Sequence, residues 1–250
     1  MKSLEERKQE IFREFPKLKT IPDDKFPQHI FIIPDGNRRY AKKHGKPELW
    51  GHQAGFRVAV KLLRYFRPLP IRAVTLWGFA SDNWKRSEKE IKGLMRIFGF
   101  IIDNYLDELM ENNSRFIHLG RRDRLPEKLL KKFEMAEKKT KKNTGQIICL
   151  AVDFGGEDQN MRMINQAMKL PENEKIDEQT LWKLRDAEGL VKSADLLIRT
   201  AETRTSDVGW INGSHTVLYF LEDKLFTEIS EQDFTDSLIY YSETKRNEGV

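Results

Sequence analysis

The strongest constraint on this chain is a repeated switch between two hydrophobic periods. Short runs of β-branched, aliphatic and aromatic residues recur: HIFII at 29–33, AVTLWGF at 73–79, RFIHL at 115–119, QIICLAV at 146–152 and DLLIR at 195–199. Nearly all are separated by stretches of helical spacing. Between Gly51 and Phe66, the residues Ala54, Val58, Ala59, Leu62 and Phe66 share one helical face. From Glu88 to Leu109 the apolar positions keep three- and four-residue spacing, and Ser87 stands where an N-cap belongs, ahead of Glu90. Strands alternating with helices predict an α/β fold, a central and mostly parallel sheet flanked by helices, with right-handed crossovers. The 250 residues suffice for one such domain with a substantial core. We expect a charged helical segment over 1–26 and that domain over 27–250.

Charge narrows the ligand class. Lys+Arg 44 against Asp+Glu 39 leaves +5, which suits phosphates, nucleic acid or an acidic membrane surface. The charges are interleaved, as in EMAEKKTKKN, and zinc-ligand spacing, an RNA-binding aromatic signature and an arginine-rich tail are all missing, so no nucleic-acid partner is expected. No apolar run approaches the roughly 20 residues of a spanning helix. The start, MKSLEERKQEIFREF, lacks a signal-peptide apolar region, so the expected location is cytoplasmic. Cys149 lies inside QIICLAV and has no second cysteine to pair with, so it is expected to be a buried structural thiol.

In open parallel sheets ligands bind beyond the carboxyl ends of the strands, and the polar segments of this chain lie there. After the first strand come Pro34-Asp35-Gly36-Asn37-Arg38-Arg39. A carboxylate, a glycine for close backbone approach and two guanidinium forks suit a metal-bound polyphosphate. The same residues read equally well as an Asp-Gly turn with solvated arginines. After the second strand, Phe79-Ala80-Ser81-Asp82-Asn83-Trp84-Lys85-Arg86 mixes hydrogen-bonding groups with an aromatic and cations, and on its own also reads as a helix-capping loop. After the fifth, Arg199, Arg204 and Ser206 could clamp a second phosphate-bearing group. His52 could donate to phosphate or relay a proton, although a lone histidine opening a helix is more often structural. Together, Mg²⁺ and many cationic donors would stabilise a departing pyrophosphate. No GxxxxGK[ST] phosphate loop competes with this reading.

These loops resemble the cis-prenyltransferases, the undecaprenyl diphosphate synthase family, over roughly Pro27 to Phe234. HIFIIPDGNRRYAKKHGK is similar to the family's first signature, and GFASDNWKR to its Phe-Ser-(Ser/Thr)-Glu-Asn-Trp-x-Arg signature. The Asn143-Thr144-Gly145 segment, the Phe154-Gly155-Gly156 turn and DLLIRTAETRTS ahead of Tyr219-Phe220 are similar as well. The resemblance implies a Mg²⁺-dependent enzyme that condenses isopentenyl diphosphate with an allylic diphosphate such as farnesyl diphosphate. It implies Asp35 as the catalytic and metal-linked carboxylate, with Gly36, Asn37, Arg38, Arg39 and His52 lining the allylic diphosphate site. By the same resemblance Asn83 is catalytic, Ser81, Trp84 and Arg86 bind between the substrates, and Arg199, Arg204 and Ser206 hold isopentenyl diphosphate. A homodimer is implied, and a lipid product implies transient peripheral contact with the membrane, compatible with the basic balance.

Several positions depart from the family pattern. An arginine usually precedes the Gly-His pair, where this chain has Glu48; Ala80 replaces a serine and Asp82 a glutamate. Arg199 and Arg204 stand one residue closer than usual, with Glu202 in the place of the usual glutamate, and Val217 replaces a carboxylate. These departures leave two alternatives: a prenyl diphosphate enzyme of the same fold with altered chemistry, or a non-catalytic partner subunit.

Overall fold

The computed structural model describes residues 3–245. In chain order the elements are α1 (Leu4–Glu14), α2 (Pro16–Lys19), β1 (His29–Ile33), α3 (Asn37–Lys43), α4 (Glu48–Phe66), β2 (Ala73–Ala80), α5 (Glu88–Glu111), β3 (Arg115–Leu119), α6 (Glu127–Thr140) and β4 (Ile147–Phe154). They continue with α7 (Gly156–Ala167), α8 (Glu178–Leu184), β5 (Ala194–Thr200), β6 (Asn212–Leu221) and α9 (Glu231–Glu243). The class is α/β, with six strands in one sheet. The chain divides into two compact units. The first takes the described residues up to Val74, Ala194–Arg204 and those from Gly213 onward; the second takes Thr75–Ser193 and Thr205–Asn212.

In the first unit β1 runs parallel to β5, with Ile30 opposite Leu196 and Ile33 opposite Arg199. All five residues of β1 are buried, as an uninterrupted apolar run requires when both faces of a parallel strand are covered. That register matters for chemistry. It brings Arg199, at the end of an apolar strand, level with the end of β1 and beside the loop that follows it. Helix α4 buries Ala54, Ala59, Leu62 and Phe66, the face read from the sequence, and Phe66 meets Phe234 of α9 edge-on.

In the second unit β3 pairs in parallel with β4, Arg115 opposite Ile147 through Leu119 opposite Ala151. Ser87 caps α5, accepting a hydrogen bond from the Glu90 amide at 3.3 Å. The helix then buries Leu94, Met95, Phe98, Ile102 and Leu106. Cys149 is wholly buried, and burial pushes its thiol up to about 12, so it stays protonated and inert.

One strand is absent from the sequence reading. β6 is an outer strand of the sheet, and Val217 is its only buried residue. An edge strand with polar Ser214 and His215 in solvent carries little of the alternation that marks a strand in sequence. Among the described residues no helix is long and apolar enough to cross a membrane.

Candidate active site

The turn after β1 is fixed from several sides. The Asp35 carbonyl accepts hydrogen bonds from the Phe226 amide at 2.9 Å and the Thr200 hydroxyl at 2.7 Å. Gly36 adopts φ +98°, and a Cβ there would sit 2.8 Å from Leu225 Cδ2, so both backbone and space demand glycine. Asn37 opens α3 and donates through Nδ2 to the Pro34 carbonyl at 3.0 Å. Helix α4 approaches so closely that a Cβ on Gly51 would lie 2.0 Å from the Asn37 carbonyl oxygen, and one on Gly55 2.2 Å from Asn37 Oδ1. Gly36 and Asn37 are thus held by packing, which leaves the Asp35 side chain free to be aimed by its charge partners.

Those partners are arginines. Arg199, 2% exposed, donates Nη2 to Asp35 Oδ2 at 3.0 Å and to Glu202 Oε2 at 2.5 Å, and Nη1 to the Arg204 carbonyl at 2.7 Å. Arg39 Nη2 lies 3.2 Å from Asp35 Oδ1 and 3.7 Å from Glu202 Oε1, and its Nη1 donates to the Ala201 carbonyl at 3.1 Å. Arg204 Nε meets Glu202 Oε2 at 2.7 Å. Two carboxylates, Asp35 and Glu202, therefore bind three guanidiniums, Arg39, Arg199 and Arg204, and the cluster keeps a surplus positive charge. A buried guanidinium is tolerable only when paired and hydrogen-bonded, which Arg199 is. Arg39 and Arg204 are exposed, so an anion that reaches the cluster meets both guanidiniums.

Sequence reasoning left Glu202 out of the site, although it had aligned it with a family glutamate. The signal was present: an acid three residues after an arginine that ends a buried strand. His52 sits half-buried in α4, and Arg38 is exposed on α3. Arg38, Arg39, Lys42 and Lys46 line a cavity of about 500 Å³ together with Glu48. The substituted carboxylate is thus outnumbered by cations where it stands, and it occupies the first turn of α4, where the helix dipole favours an acid.

The remaining candidates lie in the second unit. Asn83 Oδ1 accepts from the Ala80 amide at 3.2 Å, closing the turn after β2. Trp84 packs edge-on against Phe79 at 5.2 Å, and Arg124 covers its other surroundings, 5.9 Å from the indole. Arg124 is in turn bonded through two nitrogens to the fully buried carboxylate of Asp153, 2.8 Å for Nε to Oδ2. Arg86 pairs with buried Glu90 at 3.1 Å, and the Ser81 hydroxyl is buried without a hydrogen-bond partner. Ser206 adopts φ 56°. Its neighbour Asp207 takes the Glu157 amide at 3.1 Å on Oδ1 and the Gly156 amide at 2.9 Å on its carbonyl, tying that loop to the start of α7. Burial raises the Asp207 carboxyl above the usual range. The Arg124–Asp153 clamp behind Trp84 was not legible in the sequence, because its partners are 29 residues apart.

No group of three or more His, Cys, Asp or Glu side chains is placed to hold a metal among the described residues. A single carboxylate still fits Mg²⁺, which usually binds through one or two carboxylates plus substrate phosphates and retained waters. Asp35 is 31% exposed at its side chain, and its oxygens take Gly36 N at 2.6 Å, Arg39 and Arg199. An ionised carboxylate has about four acceptor positions, so one stays open to a cation.

The chain is similar to known proteins over most of its length. A prenyltransferase family model, described as undecaprenyl diphosphate synthase, matches residues 33–249. The isoprenyl transferase of Aquifex pyrophilus is 36% identical over 226 residues, covering 90% of this chain and 96% of that protein. The isoprenyl transferase of Streptococcus pneumoniae strain R6 is 32% identical over 236 residues, covering 89% and 92%. Among solved structures, lavandulyl diphosphate synthase from Lavandula x intermedia, in complex with dimethylallyl diphosphate, superposes with a TM-score of 0.83 at 30% identity over 90% of this chain and 98% of that one. A probable undecaprenyl diphosphate synthase from Campylobacter jejuni gives 0.74 at 24% identity over 90% and 99%, a likeness of fold.

Proposed function

Because the chain belongs to the undecaprenyl diphosphate synthase family of prenyltransferases, we propose that it extends an allylic diphosphate such as farnesyl diphosphate with isopentenyl diphosphate. The products are a polyprenyl diphosphate and pyrophosphate. The observation that carries this reading is the cluster in which Asp35 and Glu202 hold Arg39, Arg199 and Arg204. It is a preorganised anion site with a surplus positive charge and one open carboxylate position. The dimethylallyl diphosphate bound by the Lavandula enzyme supports an allylic diphosphate as the ligand class.

The carbon–oxygen bond of the allylic diphosphate breaks with both electrons leaving on the diphosphate. The isopentenyl double bond then forms the new carbon–carbon bond, and a proton is lost. Arginines fixed before the substrate arrives meet the developing negative charge without reorganising, which is where such donors are most effective. Asp35 would hold the divalent cation used by the family, assigned here as Mg²⁺, which would supply further neutralisation of the charge on the diphosphate. Gly36, Asn37, Arg38 and His52 complete the allylic diphosphate site in this reading, and Ser81, Trp84, Arg86 and Ser206 serve the isopentenyl diphosphate and the space between substrates. Asn83 commits its Oδ1 to Ala80, leaving its amide nitrogen to donate to a phosphate. A neutral amide is no base, so Asn83 orients the proton-losing carbon and does not itself take the proton. A homodimer, a cytoplasmic location and peripheral membrane contact belong to the same proposal.

The test is incubation with Mg²⁺, labelled isopentenyl diphosphate and allylic primers of several lengths. Labelled polyprenyl diphosphates are expected from the native chain. Asp35→Ala should abolish turnover while the chain still folds, with Tm lowered by a few degrees through the lost Arg199 partner; near-native turnover in that variant would sink the assignment.

A further inference from the structure

An open groove of about 1270 Å³ runs along the second unit between α5 and the start of α6. It is larger than the roughly 300–1,000 Å³ of ordinary small-molecule sites, and apart from Trp84 and Arg86 at one end its lining takes no part in the proposed reaction. The face of α5 that lines it carries Ile91, Met95 and Phe100, whereas the inner face turns Phe98 toward β2, 2.9 Å from where a Gly78 Cβ would sit. Leu125 and Leu129 complete the apolar floor. Phe100 is 54% exposed, an unusual cost for a phenyl ring on a charged helix.

The rim has a definite charge. Its two acids are already taken, Glu88 by Lys92 at 2.5 Å and Asp103 by Lys132. Arg124 is committed to Asp153 and Arg86 to Glu90. Two rim cations have no acidic partner among the described residues: Arg96, which spends only Nε on the Lys92 carbonyl at 3.3 Å, and Lys128. An apolar channel bordered by surplus positive charge matches an amphiphile with an apolar chain and an anionic head. A neutral lipid would leave the cations uncompensated, and a free phosphate would leave the floor bare.

We infer that this groove docks the protein on an acidic bilayer, taking an acyl chain of an anionic phospholipid along Ile91, Met95 and Phe100 while Arg96 and Lys128 meet its phosphate. Amphipathic helical faces bind membranes by the same two contributions, buried apolar area and attraction to acidic lipid. Because Trp84 and Arg86 line one end of the groove, a seated lipid would also touch the loop after β2. The inference rests on the peripheral membrane contact proposed above and adds the surface that makes it; because it does not use the arginine cluster, prenyl transfer without vesicle binding would overturn it and leave the proposed reaction standing.

The test is co-sedimentation of the full chain with phosphatidylcholine vesicles, with and without phosphatidylglycerol. We expect binding only when phosphatidylglycerol is present, falling with added salt. The double substitution Arg96→Gln, Lys128→Gln should weaken it roughly 30-fold, from about fivefold per surface cation. Phe100→Ser should weaken it roughly 10-fold by removing apolar burial. Both variants should keep native prenyl transfer in solution, which shows that they fold. The pair Lys138→Gln, Lys139→Gln makes the same charge change on exposed residues of α6 and should bind as the native chain does. Equal binding to neutral vesicles, or unchanged binding in the groove variants, overturns the inference. So does a change of oligomeric state in Phe100→Ser without loss of vesicle binding, which would make the groove a contact between copies.

Discussion

Glu202→Gln isolates the residue that joins the arginine cluster. The amide keeps the size and one acceptor oxygen but removes the charge that faces Arg199 at 2.5 Å and Arg204 at 2.7 Å. The arginine donors stay charged, so a glutamine oxygen still accepts a charge-assisted bond, and each contact falls from the upper to the lower part of the about 1.5–3 kcal/mol range, a loss of about 1 kcal/mol before screening. The Arg204 side chain is 67% exposed and its share is mostly screened away, whereas Arg199 is 3% exposed and its share persists. The expected loss is about 1–1.5 kcal/mol, or about 2–6 °C in Tm for a chain of this size. Binding should move the other way. With Arg39, Arg199 and Arg204 opposed by Asp35 alone, the cluster gains one net positive charge and should hold inorganic pyrophosphate several-fold tighter. Tighter product binding should lower kcat. Differential scanning calorimetry and pyrophosphate inhibition measure the two effects. A variant with native Tm and native pyrophosphate inhibition would refute the idea that Glu202 organises the site.

Three further perturbations have definite outcomes. Gly55→Ala places a methyl 2.2 Å from Asn37 Oδ1, so α3 must shift; we expect about 1–3 kcal/mol of destabilisation by denaturant titration and a raised KM for the allylic primer. Arg124→Met leaves the buried Asp153 carboxylate without its partner and should cost about 3–5 kcal/mol, whereas Asp153→Asn in the same background should recover part of that loss. His118 is 2% exposed, and burial pushes its imidazole down from 6.5 to about 4. The unfolded chain then takes a proton that the fold resists, so stability is full above about pH 6.5 and falls as pH drops toward 4, by up to about 3 kcal/mol. In His118→Gln, urea titrations across that range should show a shallower decline; an identical pH profile would remove His118 as its cause.

Much of the fold was legible because burial leaves a mark on composition. HIFII and RFIHL match the strands to the residue, since strands covered on both faces are built mainly of apolar residues, here interrupted by His29, Arg115 and His118. Ser87 was readable as a cap because the cap lies in the adjacent sequence. β6 was not readable, because an outer strand lined with Ser214 and His215 loses the alternating pattern. In the site, Asp35, Arg39, Arg199 and Arg204 were named from their places after strands, and the structure brings them together. What the sequence could not convey was the pairing: that Glu202 would bind both Arg199 and Arg204, or that Arg124 would stand behind Trp84. Such partners are set by register and loop course, and neither is a local property of the chain.

The parallel pairing of β1 with β5 has a consequence for synthesis. Ile30 meets Leu196, so β1 lacks its parallel partner β5 until well over a hundred further residues have emerged from the ribosome. At about 5–20 residues per second, that is an interval on the order of ten to thirty seconds. Through it, the edge of HIFII that faces β5 stays unpaired, and the Asp35 carbonyl still awaits the Phe226 amide. The nascent chain therefore carries an open strand edge beside the proposed site, and a chain truncated before Phe226 would lack one of the two hydrogen bonds that fix the Asp35 carbonyl.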